Sequence, residues 1–208
     1  MMLAVLIAII WVILIVVTIF ASVLSDGGRL SGVVFYFTYW VLFLELIFFV
    51  AFAVAGGEFD ARIASDLWAL SIFVLIGAII VVIVAFFTKS ALLQEVQEQG
   101  IVLAIILQIV IHILPVFLLF TLVGWPRFCP NLWVVAAIIL VYSITVLLIT
   151  GKGPALQYGL PDQAFSYVVV ALLFIAAIVL TNLLVPLAPS GEKFRKIVPL
   201  GNKSRTMC

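Results

Sequence analysis

The sequence predicts an all-α, polytopic integral membrane protein: a bundle of six transmembrane helices with short loops and a basic C-terminal tail. Of its 208 residues, 67% are hydrophobic and 9% are charged, whereas a soluble domain carries about 25% charged residues. The mean hydropathy is +1.47, and apolar segments near the ~20 residues that a bilayer crossing needs recur along the chain. So much apolar surface would aggregate in water, and lipid must therefore solvate most of the chain.

Six apolar segments are predicted to form one transmembrane domain over residues 1–187. The predicted helices are 3–24, 31–55, 66–87, 101–124, 132–150 and 164–187, and the tail follows at 188–208. The first segment lacks a positively charged start and exceeds the 7–15 apolar residues of a typical signal peptide, so we expect it to remain as a helix. Cleavage after the Phe20-Ala21-Ser22 pattern is the alternative.

The second and third segments carry weaker local signals. Small residues four apart, at 51/55 and 53/57, are spaced to let another helix approach closely, although alanine is common in any membrane helix. Ser65 or Asp66 is predicted to cap the third helix, in which only Ser71 and Gly77 interrupt the aliphatic run. The connection 88–100 has helical amphipathicity, which predicts a segment on the membrane surface or against a partner.

The fourth segment carries His112, the only histidine of the chain, near its centre. Gln108 lies four residues earlier and therefore on the same helix face. Pro115 has no N–H, which leaves the carbonyl of Ile111 without its helical partner. The only other ionisable side chain predicted near mid-membrane is Glu45 in the second segment.

A buried pair of Glu45 and His112 is the site that this pattern predicts. A charge at mid-membrane costs about 2.5–3.5 kcal/mol and is seldom left without a partner. Counted from the outer ends of their predicted helices, the two residues differ in depth by ~4–5 Å. Gln108 and the Ile111 carbonyl are the further expected hydrogen-bond partners. A lone uncharged Glu45 bonded to a backbone carbonyl and a His112 satisfied within its own helix are the alternatives.

The tail and the loops carry the basic residues that predict orientation. Seven of the ten Lys and Arg side chains fall on the side that holds both termini, so the positive-inside rule places both termini in the cytoplasm or its organellar equivalent. Trp68, Trp125 and Trp133 fall at that same interface. Basic tail residues are predicted to contact anionic lipid headgroups, unless the tail is only a topology signal followed by disorder: Lys193, Arg195, Lys196, Lys203 and Arg205.

The missing motifs argue against several enzyme classes without excluding all of them. The chain has no P-loop, GxGxxG, HExxH or GxSxG pattern, and Cys129 and Cys208 fit no metal spacing. We therefore predict no catalytic residue, metal or cofactor, although bound lipids are expected. A haem on His112 would need its second ligand from another chain. A formal net charge of +1 gives no field that would recruit nucleic acid.

The favoured function is that of a non-catalytic accessory or scaffolding subunit of a larger membrane protein complex. Its partners would be membrane lipids and other integral membrane subunits or further copies of itself, because helices that are apolar all round face lipid or other apolar helices. The alternative is a small oligomeric proton- or ion-coupled transporter or channel that uses Glu45 and His112. A lipid-modifying enzyme with these two residues as acid and base ranks last, since nothing in the sequence would hold a phosphate.

Overall fold

The computed structural model describes residues 2–25, 36–55, 60–88, 101–151 and 163–187. Within these ranges the chain is helical and contains no strand. The helices are α1 (Met2–Ser25), α2 (Phe37–Val54), α3 (Ala61–Thr88), α4 (Ile101–Val123), α5 (Leu132–Thr150) and α6 (Gln163–Leu184), and a 3-10 turn, Val185–Leu187, follows α6. The all-helical prediction is confirmed.

Four of these helices are long and apolar enough to cross a membrane. Their candidate spans are Phe37–Val54, Ala61–Ile80, Leu132–Thr150 and Tyr167–Leu187. Shorter apolar stretches lie in the other two helices, at Ala8–Val17 in α1 and Ile111–Val123 in α4. The prediction of a helical membrane protein is thereby confirmed, while the count of six crossings stays a prediction.

Helix α3 is the centre of the bundle. It packs against α2, α4, α5 and α6, whereas α1 packs against α2 and α4. In the 18-residue apolar stretch of its candidate span, 56% of the residues are buried, against 22% in the corresponding stretches of α5 and α6. Between α1 and α4, the indole Nε1 of Trp11 donates a hydrogen bond to Thr121 Oγ1 at 3.2 Å.

The start of α3 differs from the prediction. The helix begins at Ala61, five residues before the predicted start at 66, and the predicted cap at Ser65 or Asp66 is wrong. Asp60 caps it instead, because its Oδ1 accepts the backbone N–H of Arg62 at 2.8 Å. An aspartate side chain at that position satisfies an N–H that the first turn of a helix leaves without a partner.

Ser65 and Asp66 fasten α3 to the connection between α4 and α5. The Oγ of Ser65 accepts the backbone N–H of Phe128 at 3.3 Å, and Asp66 Oδ1 accepts that of Asn131 at 2.6 Å. Asn131 in turn caps α5 by accepting the N–H of Trp133 at 3.1 Å. The first turn of α3, the end of α4 and the start of α5 therefore lie at one end of the bundle.

Aromatic rings fill this end of the bundle. The Nε1 of Trp68 donates to the carbonyl of Gly124 at 3.0 Å, and the rings of Trp68 and Trp125 stack at 5.9 Å between centroids. Phe120 packs edge-on against Trp125 at 4.9 Å. Trp133 is 84% exposed. The three tryptophans thus occupy the same end, and the compartment that this end faces stays a prediction.

Candidate functional site

Glu45 lies in the interface between α2 and α3 and is 0% exposed. The buried face of α2 repeats every three or four residues, as a helix packed on one side requires. Val41 and Leu42 precede Glu45 on that face by one turn, and Phe48 and Phe49 follow it by one turn. The helical periodicity therefore carries the carboxyl group into the apolar interior.

Ser71 of α3 is the partner of Glu45. Its Oγ lies 2.7 Å from Glu45 Oε1 and 2.8 Å from the carbonyl oxygen of Leu67, one turn earlier in α3. Glu45 is the ninth of the 18 residues in its candidate span. At 1.5 Å per residue it lies ~12–14 Å from either end of that span.

The second carboxyl oxygen of Glu45 has no hydrogen-bond partner among the described residues, although it is buried. The only other buried side-chain oxygen without a partner in this part of the chain is Oδ1 of Asn182, on α6. Leaving a buried polar group unsatisfied costs about 1–3 kcal/mol, and more if the group is charged. The free-energy cost of burying the Glu45 side chain at this site is therefore smaller for a neutral carboxyl group than for a charged one.

The predicted pair of Glu45 and His112 is not formed. Ser71 is the partner of Glu45 Oε1, and Oε2 has none, so neither carboxyl oxygen bonds to His112. His112 is half-buried on α4. Gln108 also lies on α4, but the side chains of this helix are described only from Ile111 onward.

The sequence does not predict Ser71 as the partner of Glu45. In the sequence Ser71 is visible only as an interruption of an aliphatic run, and that interruption is the available signal. A serine at mid-helix bonds readily to the carbonyl four residues before it, so its presence alone does not announce a contact with another helix.

The remaining predicted sites lie outside the described residues. These are the amphipathic connection over 89–100 and the basic tail residues Lys193, Arg195, Lys196, Lys203 and Arg205. Within the described ranges, no group of three or more His, Cys, Asp or Glu side chains is placed to hold a metal ion. The small residues Ala51 and Ala55 are exposed within the described part of the chain.

No protein-family model matches this chain, and neither the curated proteins nor the solved structures include one that is significantly similar to it. The geometry of the Glu45 site is therefore the basis for its chemistry. A single carboxyl group with one hydroxyl partner, enclosed by aliphatic and aromatic side chains, is suited to joining two helices.

Proposed function

We propose that the chain is a non-catalytic accessory or scaffolding subunit of a larger membrane protein complex. The observation that carries this proposal is the outward face of α5. Four large apolar side chains stand exposed there over consecutive turns, at Leu140, Val141, Ile144 and Leu148. A face of this kind must contact lipid or the apolar helix of another subunit.

The opposite side of α5 packs against the rest of the described chain. Val135, Ile139, Tyr142 and Val146 form a narrow buried stripe. The exposed residues on the other side are available for contacts outside the described residues. We propose that lipids and a neighbouring integral membrane subunit, either a different protein or a second copy, share this surface.

The rest of the proposed arrangement follows the sequence. All six helices would cross the membrane with both termini on the cytoplasmic side, and the basic tail would rest on anionic headgroups. The alternative of a proton- or ion-coupled transporter requires Glu45 and His112 on one polar route. The enclosure of Glu45 and its bond to Ser71 rather than to His112 favour the scaffolding role.

Affinity purification of the full chain from its native membranes in a mild detergent, followed by native mass spectrometry, tests the proposal. We expect unrelated membrane proteins in stoichiometric amounts. A photo-crosslinking side chain at Ile144, which is 46% exposed, should capture one of them, whereas the same side chain at Ile139, which is 7% exposed, should not. A homo-oligomer whose ion flux disappears in Glu45→Gln, or lipid adducts alone at Ile144, would contradict the proposal.

A further inference from the structure

We infer that Glu45 is a protonated carboxylic acid that donates its hydrogen to Ser71, and that the resulting chain Glu45–Ser71–Leu67 sets the register of α2 against α3. This inference concerns the interior of the bundle and does not depend on the proposed scaffolding role. It rests on hydrogen counting at Ser71, on the surroundings of the carboxyl group and on the position of the pair in its helices.

Hydrogen counting is the first step. A serine hydroxyl carries one hydrogen and two acceptor lone pairs. The Oγ of Ser71 is within hydrogen-bond distance of two oxygens, one on Glu45 and one on Leu67. Serines within these helices donate to the carbonyl four residues earlier, as Ser65 and Ser143 do at 2.9 and 2.8 Å. If Ser71 does the same, its contact with Glu45 is a bond only when Glu45 supplies the hydrogen.

The surroundings of the carboxyl group are the second step. An ionised carboxylate has about four acceptor positions to satisfy, and here one hydroxyl is the only described partner. In the six helices, the other ionisable side chains apart from tyrosines are Arg62, Asp66 and His112. Arg62 is exposed and lies nine residues before Ser71, ~13 Å along α3, and His112 does not bond to Glu45. A neutral acid, with Oε2 as its carbonyl oxygen, fits this environment.

The position of the pair gives the consequence for register. A shift of α2 along α3 by one turn would set Val41 and Leu42, or Phe48 and Phe49, opposite Ser71. Glu45 would then lie among apolar side chains without a partner. Apolar contacts alone distinguish such shifts weakly in lipid, whereas a polar contact between helices adds a preference for one register. The Glu45–Ser71 contact therefore selects one pairing of α2 and α3.

Infrared difference spectroscopy on the full chain in detergent at neutral pH tests the inference. The wild type should show the carbonyl band of a protonated carboxylic acid, which moves in D2O and on isotopic labelling of glutamate. The band should lie at the high-frequency end of its range, because Oε2 accepts no hydrogen bond. It should be absent from Glu45→Gln.

Ser71→Ala and Ser143→Ala form the matched pair for the partner. Both serines bond to the carbonyl four residues earlier, but only Ser71 reaches Glu45. We expect the band to shift in Ser71→Ala and to stay in place in Ser143→Ala, and this comparison remains readable if Glu45→Gln does not fold. Carboxylate bands in place of the neutral band, or a band that Ser71→Ala leaves unmoved, would overturn the inference.

Discussion

Two pairs of helices differ in how much of their surface is buried: α2 and α3 form the first pair, and α5 and α6 form the second. The candidate spans of α2 and α3 are 44% and 56% buried, and those of α5 and α6 are both 22% buried. The mean hydropathy runs the other way, at 2.2 for each of the first two and 2.8 and 2.9 for the others. The more buried helices are thus the less apolar ones, the reverse of the rule for soluble proteins.

This reversal has a physical cause in the solvent. Lipid tails are as apolar as a leucine side chain, so burying an aliphatic surface against another helix gains little in a membrane. Hydrogen bonds between polar side chains and close packing of helices contribute more to the association of membrane helices. The buried polar side chains among the described residues follow this rule, since four of the five lie on α2 and α3 and one on α6: Thr38, Glu45, Ser65, Ser71 and Thr181. Substitutions in α2 and α3 should therefore change the free energy of unfolding by a different amount from substitutions in α5 and α6.

The largest difference is expected between two tryptophans at the same end of the bundle. Trp68 on α3 is 2% exposed and donates to the Gly124 carbonyl, whereas Trp133 on α5 is 84% exposed. Trp68→Ala should lower the free energy of unfolding by about 3–5 kcal/mol, because it leaves a cavity and an unpaired carbonyl.

Trp133→Ala is the matched control and should change the free energy of unfolding by less than about 1 kcal/mol, since an exposed ring makes few contacts in the bundle. Reversible unfolding of both variants in the same mixed micelles measures the two values. Equal losses would mean that α5 is held as firmly as α3, and the contrast between the two regions would be wrong.

The sequence predicts the helices well where their ends carry local signals. The predicted span 132–150 agrees with Leu132–Thr150, because Asn131 caps one end of α5 and the left-handed Gly151 closes the other. The observed start of α3 differs from the predicted one because the prediction followed the apolar run, whereas the helix begins earlier, at Ala61, after the capping residue Asp60. At the end of α6 the last predicted residues, Val185–Leu187, form a 3-10 turn.

The site was less predictable for a geometric reason. The depth of Glu45 follows from its position along one helix, and its place at mid-span agrees with the prediction. Its partner depends on how α2 and α3 are rotated about their own axes, and the apolar pattern of such helices is too uniform to give that rotation. His112 lies at a comparable predicted depth, but the face of α2 that bears Glu45 meets Ser71.

Replacing glycine by alanine should lower the stability of the protein at Gly151 and raise it at Gly77. Gly151 ends α5 with φ at 67°, and its N–H donates to the Leu147 carbonyl at 2.8 Å. Gly151→Ala should cost about 1–2 kcal/mol, because a Cβ is strained in the left-handed region. Gly77 lies within α3, where an added Cβ would meet Leu173 Cδ1 at an ordinary 3.7 Å.

Gly77→Ala should therefore stabilise the protein by about 0.5–1 kcal/mol, through the better helix propensity of alanine. Thermal unfolding of both variants in one detergent gives the two signs. A destabilising Gly77→Ala would show that α3 and α6 pack more tightly at this point than the 3.7 Å contact indicates.

The smallest expected effect on stability comes from removing one serine hydroxyl. It distinguishes a hydrogen bond between two helices from a hydrogen bond within one helix. Ser71→Ala removes the partner of Glu45 and should cost about 0.6 kcal/mol and at most about 1.7, the range for hydrogen bonds between membrane helices. The cost is modest because the unfolded chain in the membrane also finds partners for its polar groups. Ser143→Ala removes only a bond to its own helix, to the Ile139 carbonyl, and should cost nothing measurable.

A double-mutant cycle of Glu45→Leu and Ser71→Ala isolates the contact itself, because neither new side chain can form a hydrogen bond. Because the two side chains touch, the losses should not add, and the coupling should account for most of the cost of Ser71→Ala. The cycle of Glu45→Leu with Ser143→Ala should be additive, since Ser143 bonds within α5. Coupling in the second cycle and not in the first would mean that the polar contact between helices involves α5. The contrast between the α2–α3 pair and the α5–α6 pair would then be wrong.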